Sequence, residues 1–216
     1  GAVYELGSVF KPFTVAAALE AGAVHPKDLF DVRKPLEIRG YTIEDDHPLY
    51  GDADVTHIIS KSSNIGTVRI NEALGIRRQQ DFLQRAGLME RARIELSGSA
   101  APILPERFDD LSSATVSYGH GIAVSPMAFL AAFSAFANEG ERVQPTLVMG
   151  HTKRPDPVRV MSALTADMVN VMMREAVRTG TGRNAEVAGY RVAGKTGTAE
   201  KPVAGGYDDE RNVTSF

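Results

Sequence analysis

Three short motifs, far apart along the chain, must converge if they act together: Ser8-Val9-Phe10-Lys11, Ser62-Ser63-Asn64 and Lys195-Thr196-Gly197-Thr198. Each predicts a different local backbone. Apolar residues Phe13, Val15, Ala16, Ala18 and Leu19 recur at helical spacing up to a stop at Glu20-Ala21-Gly22, so Ser8 stands at or just before a helix N-terminus. Asp54 can cap a helix through Lys61, and a second runs from Ile65 to Leu74 before Gly75, which puts Ser62 to Asn64 at a helix break. The third motif falls inside a strand predicted over Tyr190 to Ala199 and followed by a loose Gly- and Pro-rich loop.

The remaining pattern is mixed. A hairpin is predicted through Leu36 to Ile43, a helix over Arg77 to Ala86, and an irregular Pro-bearing connection over Arg91 to Asp110. Ser125 and Pro126 start a helix that stops at Asn138-Glu139-Gly140. Val143 to Met149 reads as a short edge strand because of Pro145. Thr165 reads as the cap of a helix that turns Met168, Val171, Met172 and Val177 inward and ends at Gly180.

A serine hydroxyl needs a base to become a nucleophile, and residues three apart on a helical turn are neighbours, so Lys11 can serve Ser8. Burial and a nearby cation such as Lys195 would keep that amine neutral part of the time. Backbone donors at a helix N-terminus can hold an oxyanion. Taken singly, each motif has an ordinary reading. Ser-x-x-Lys arises by chance, Ser-x-Asn is a common cap, and a lysine on a glycine-bearing strand can be a solvated edge charge. Only the set points to acyl transfer.

Composition narrows the alternatives. With 216 residues, 43% hydrophobic and 24% charged, the chain has the apolar content for one globular domain of up to two lobes. A net charge of −3 with scattered basic residues argues against a nucleic-acid partner. There is no cysteine, so disulfides and thiolate metal sites are excluded. The histidines at 25, 47, 57, 120 and 151 lack paired ligand spacing, and neither metal nor cofactor is called for; His120 is the one placed to border a cleft. Asp45-Asp46 and Asp208-Asp209-Glu210 read as solvated loops, and Gly180-Thr181-Gly182 lacks the features of a phosphate loop. No run reaches the roughly 18 apolar residues of a membrane helix, and both ends read as cuts within a longer polypeptide.

The residues carry a resemblance. Tyr4-Glu5-Leu6-Gly7-Ser8-Val9-Phe10-Lys11-Pro12-Phe13-Thr14, together with Ser62-Ser63-Asn64-Ile65-Gly66, Tyr118-Gly119-His120-Gly121 and Gly194-Lys195-Thr196-Gly197-Thr198-Ala199, is similar to the transpeptidase domain of class B penicillin-binding proteins, above all the division-specific members. Leu6 stands where many relatives have proline, and Val9 replaces threonine. The resemblance implies an α/β fold of the α+β type: an antiparallel sheet flanked by helices, truncated at both ends here and so mostly helical. The whole chain would be a partial domain, with a helical lobe over 24–165 and sheet-proximal parts at 1–23 and 166–216. It implies that Ser8 attacks peptidoglycan stem peptides ending in D-Ala-D-Ala, with Lys11 as base and Ser62 relaying a proton. Asn64 would hold Lys11 and the substrate amide. Lys195, Thr196 and Thr198 would bind the terminal carboxylate, Gly197 would leave room for substrate, and the N–H groups of Ser8 and Thr198 would form the oxyanion hole. β-Lactams would be inhibitors and division proteins partners. The setting implied is the periplasmic face of the bacterial inner membrane, with the anchor outside this chain and no membrane contact by the chain itself. Missing sheet partners would impair the piece on its own.

Two enzymatic or sensory rivals share the chemistry. A β-lactamase must also deacylate, but Glu95 and Glu106 lack its glutamate context and the stretch from Ser62 to Lys195 is long for that compact fold. A β-lactam sensor would use acylation as a signal. A third, non-catalytic alternative is a folded interaction module of the division machinery.

Overall fold

The computed structural model describes residues 2–95, 98–149, 155–203 and 206–215, with side chains described as far as Thr198. At its centre is helix α1, Lys11–Glu20, entered through a 3-10 turn over Gly7–Phe10. Lys11 to Leu19 are all buried, so α1 is a core helix enclosed on every side rather than an amphipathic one. Pro12 sits in its first turn, where a missing N–H costs nothing. Phe13 anchors an aromatic cluster, with its ring 5.7 Å from Phe10, 5.9 Å from Phe129, 6.2 Å from Phe133 and 5.2 Å from Phe136.

The chain begins with β1, Tyr4–Glu5, and after α1 makes β2, Leu29–Asp31. The predicted hairpin is β3, Leu36–Ile38, and β4, Tyr41–Ile43, turning through Arg39 and Gly40 at φ of 53° and 80°. Next come β5, Asp52–Asp54, and α2, Val55–Lys61, capped as expected by the Asp54 carboxylate, which accepts from His57 N. Helices α3, Asn64–Leu74, and α4, Ile76–Ala86, follow. Both α3 and α4 pack against α1.

Helix α5, Asp110–Ser117, was not marked by the sequence pattern. Its Ser- and Thr-rich stretch has weak intrinsic propensity. A capping box between Asp109 and Ser112 and the burial of Ala114 and Val116 stabilise it. Beyond it lie β6, Ala123–Val124, which pairs antiparallel with β1, and α6, Pro126–Ala137, with Ser125 as its cap.

Three expectations change. No strand spans Val143 to Met149; the short β7, Glu141–Arg142, pairs instead with β8, Val158–Arg159. The backbone donors there go to side chains, Val143 N to Ser134 Oγ at 2.9 Å and Leu147 N to Glu95 at 3.0 Å, and Pro145 has none. Helix α7, Ala163–Thr179, is capped by Ser162, while Thr165 bonds Glu20; Met172 and Val177 face the core, but Val171 is 66% exposed and Val169, Met173 and Ala176 take the inward positions. The last strand pair is β9, Gly197–Val203, and β10, Gly206–Ser215. Residues 190 to 196 are therefore outside any strand, and what reads as a loop after Ala199 continues as an antiparallel ladder. Among the described residues the strands pair two by two, and no helix is long and apolar enough to cross a membrane.

Gly119 locks α5 to the turn that carries Ser8. It accepts from Gly7 N at 3.2 Å, and a Cβ at its φ of +91° would lie 2.1 Å from Gly7 O. Gly119→Ala is expected to destabilise the fold by roughly 2–4 kcal/mol, measured as a lower urea midpoint at unchanged slope.

Candidate active site

The first motif spans the 3-10 turn and the first residue of α1, with Ser8 partly exposed in the turn and Lys11 completely buried at the helix start. The second lies between α2 and α3. Ser62 adopts a left-handed backbone, φ 63° and ψ 37°, which a non-glycine residue holds only when its neighbours enforce it. Here Ser62 N and Ser63 N bond Ile59 O and Ile58 O at 3.2 and 3.0 Å, and Lys11 Nζ donates to Ser62 O at 2.5 Å.

That turn brings the Ser62 hydroxyl between two amines. Lys11 Nζ lies 3.1 Å and Lys195 Nζ 2.8 Å from Ser62 Oγ, and Lys195 also donates to Thr196 O at 2.8 Å. Burial holds the Lys11 amine well below the ordinary lysine range, helped by the charge of Lys195 and opposed by Asp45 and Asp46. Burial likewise lowers Lys195, to about 8. Two lysines thus share one hydroxyl and resist being charged together. The pKa of His120, whose ring lies 5.1 Å from that of Tyr118 and tilted 50° to it, is lowered by burial and then by Lys11.

The other motif residues fall in different places. Ser8 Oγ makes no hydrogen bond to Lys11, whose amine is committed to Ser62. Asn64 does not reach Lys11 either: its amide donates to Glu44 O at 2.9 Å. Gly197 makes room for the Ser8 turn, since a Cβ there would stand 2.8 Å from Leu6 O and 2.9 Å from Val9 N. The sequence assigned that room to substrate. Ser8, Ser62, Thr196, Gly197 and Thr198 line one open cavity of about 130 Å³, so all three motifs meet at a common surface. Three larger hollows among the described residues, beside Arg142, Asn71 and Phe82, contain no motif residue.

Two contributors escaped the sequence. Asp45, read as solvated, is buried at 7% exposure and accepts from Ser63 Oγ at 2.7 Å, Asn64 N at 2.5 Å and Ile65 N at 3.0 Å. It ties the hairpin end to the start of α3, while Ser63 Oγ accepts from Gly66 N as the α3 cap. Asp46 beside it is exposed and lines the cavity. Thr181, set aside with its flanking glycines, bonds Thr196 Oγ1 through its own hydroxyl at 2.9 Å and also lines the cavity. Its loop is pressed onto α2, because a Cβ on Gly180 would lie 2.0 Å from Ser60 O. No local pattern marks Asp45; the paired glycines around Thr181 were the available signal.

Asp45→Asn replaces one of the two acceptor oxygens by an N–H2 donor set against the donors that oxygen served, with an expected loss of about 1–3 kcal/mol in stability. The Asp45 charge raises the Lys11 pKa, so its removal is also expected to move the acidic limb of any Lys11-dependent rate to lower pH. A thermal melt and a rate–pH profile check the two effects separately.

The chemistry open to this arrangement is acyl transfer to a serine, with a buried amine as base and a hydroxyl relay. Residues 2–216 match the family described as the penicillin-binding protein transpeptidase domain, and the chain belongs to that family. It is 38% identical to a probable peptidoglycan D,D-transpeptidase, FtsI, of Caulobacter vibrioides, over 99% of this chain and 37% of that protein. It is 32% identical to penicillin-binding protein PbpB of Mycobacterium tuberculosis, over 96% and 34%. Among solved structures, the apo transpeptidase domain of Burkholderia pseudomallei penicillin-binding protein 3 superposes with a TM-score of 0.89 at 35% identity, covering 97% of this chain and 65% of that one. Penicillin-binding protein 3 of Mycobacterium tuberculosis complexed with aztreonam gives 0.89 at 32% identity, covering 97% and 51%. These neighbours bear out the expected penicillin-binding transpeptidase fold, of which the helices and small antiparallel ladders here are the parts present. The chain spans little more than a third of the length of these two curated relatives.

Proposed function

We propose that the protein carrying this chain is a D,D-transpeptidase that cross-links peptidoglycan stem peptides through an acyl-enzyme on Ser8. The observation that carries the reading is the Ser62 hydroxyl held between Lys11 and Lys195 at the edge of the cavity that Ser8 enters. Neutral Lys11 takes the Ser8 Oγ proton as that oxygen attacks the penultimate D-Ala carbonyl. The backbone N–H groups of Ser8 and Thr198 hold the oxyanion. On collapse the C–N bond breaks, Ser62 gives its proton to the departing D-Ala amine, and protonated Lys11 restores the hydroxyl. An acceptor amine then reverses the sequence, losing a proton through Ser62 and leaving Ser8 restored. Thr196 and Thr198 receive the terminal carboxylate, with Lys195 supplying positive charge and Thr181 holding the Thr196 hydroxyl.

On this reading the Asn64 carbonyl oxygen is the group that takes the substrate amide, while its N–H side stays with Glu44. β-Lactams imitate the dipeptide and stop at the acyl-enzyme. A relative named as a probable FtsI transpeptidase supports a role in septal wall synthesis beside division proteins, at the periplasmic face of the inner membrane.

The test supplies the intact protein with a stem peptide ending in D-Ala-D-Ala and an amine acceptor. D-Ala release matched by cross-linked product is expected. Release matched only by shortened peptide would replace the transpeptidase reading with a hydrolase, and no release would remove both.

A further inference from the structure

Among the described residues that line the Ser8 cavity, Asp46 is the one acid, and no step of the chemistry proposed above uses it. The two residues before it are pinned to the second motif. Glu44 O accepts from Asn64 Nδ2 at 2.9 Å, and the Asp45 carboxylate accepts from Ser63 Oγ at 2.7 Å and Ile65 N at 3.0 Å. The Asp46 side chain is itself exposed and makes no hydrogen bond or ion pair among the described residues. A charge left uncommitted on a backbone fixed against the active site is placed as a recognition group is placed.

The cations around it are occupied elsewhere. Lys11 Nζ donates to both oxygens of Ser62, Lys195 Nζ to Ser62 Oγ and Thr196 O, and Lys61 Nζ to Thr179 O. The Asp46 charge nevertheless acts across the site, since it opposes the lowering of the Lys11, Lys195 and His120 pKa values. Groups on three separate segments feel it, which sets the carboxylate on the cavity side of its loop. The end of the cavity it serves follows from its neighbours. Thr196, Thr198 and Lys195 receive the terminal carboxylate, on the leaving-group side of the reacting carbonyl. Asp46 continues the segment bonded to Asn64, which takes the substrate amide on the acyl side. Negative charge there attracts an ammonium group and repels a carboxylate. We propose that Asp46 is a specificity-determining residue for the acyl donor, favouring donors with a primary ammonium on the acyl side of the reacting carbonyl over donors with a carboxylate there. The inference rests on the transpeptidase reading, from which it takes the orientation of the donor.

The test compares three penicillins whose side chains share one tetramethylene acyl chain and end in ammonium, methyl or carboxylate: the δ-aminovaleryl, caproyl and adipoyl derivatives. Acylation of the intact protein is followed by mass, and the rate with each charged probe is divided by the caproyl rate of the same protein. That division cancels the change in the Lys11 and Lys195 pKa values that loss of the Asp46 charge brings. In the wild type the ammonium probe is expected to react roughly two- to fivefold faster than the caproyl probe, and the carboxylate probe slower by a similar factor. Asp46→Asn should draw the two ratios together, and Asp46→Lys should reverse their order. Glu72→Gln removes an exposed acid that lies outside this cavity and should leave both ratios as they are. Equal ratios in the wild type, ratios that survive Asp46→Asn, or ratios lost equally in Glu72→Gln would overturn the proposal while the transpeptidase reading stands. No adduct between the wild type and the caproyl probe would instead remove that reading, and the proposal with it.

Discussion

Ser8→Ala is expected to abolish the covalent adduct with benzylpenicillin, with the intact mass unchanged after hours of incubation while the wild type gains one penicillin mass. Other hydroxyls border the same cavity, Ser62, Thr181, Thr196 and Thr198 among them, but each is otherwise engaged or poorly served. Ser62 Oγ is the acceptor shared by two lysines, and Thr181 and Thr196 bond each other. Among the described residues that line the cavity, Ser8 alone combines partial exposure with a position at the head of α1, and its hydroxyl has no hydrogen-bond partner among them. Its loss removes the nucleophile rather than tuning it, so the rate should fall by at least about a thousandfold. Ser62→Ala should behave differently. It leaves the nucleophile and breaks the relay, so slow adduct formation should persist at roughly a hundredth to a ten-thousandth of the wild-type rate. An adduct retained by Ser8→Ala at wild-type rate would move the nucleophile elsewhere.

The contrast between those two serines shows what could be read in advance. Local elements were legible where caps and stops are local: Asp54 ahead of α2, Ser125 and Pro126 at α6, and Gly75 after α3 all act within one turn. The three motifs were legible for the same reason, because each is a contiguous string. Nothing local reveals that Asp45, on the hairpin's far end, reaches across to the first N–H groups of α3, or that Asn64 turns to Glu44 rather than Lys11. Those partners are chosen by the tertiary path between residue 44 and residue 65. Helix α5 failed for the complementary reason: weak propensity, stabilised by a capping box and by packing. The strand expected over Tyr190 to Ala199 begins only at Gly197. There a side-chain-free residue is demanded by the Ser8 turn, not by strand propensity.

Lys11→Met is expected to lower acylation by a thousandfold or more and, in the same variant, to raise stability. The side chain is completely buried, and burial is the largest cause of its depressed pKa, so the folded protein holds this amine against its preference for charge. The folded value lies below the unfolded one of about 10.5, so over that window the unfolded chain binds more protons and stability climbs with pH. The cost of holding this amine uncharged, or of burying it charged, grows as pH falls below the unfolded value and levels off only below the folded one. Methionine of similar length ends that cost while filling the space, with an expected gain of about 1–2 kcal/mol at pH 7, roughly 2–8 °C in Tm, shrinking towards pH 10. Thermal melts of both proteins from pH 6 to pH 10 measure it. The wild-type rate supplies the other half. Acylation should rise as Lys11 loses its proton and fall near pH 8 as the Lys195 ammonium disappears, giving a bell whose alkaline limb survives in any variant that keeps Lys195. A Lys11→Met protein that is both inactive and less stable at pH 7 would mean that the bonds from Nζ to Ser62 outweigh its desolvation. The amine would then be a strut for the left-handed Ser62 turn rather than a base held ready beside it.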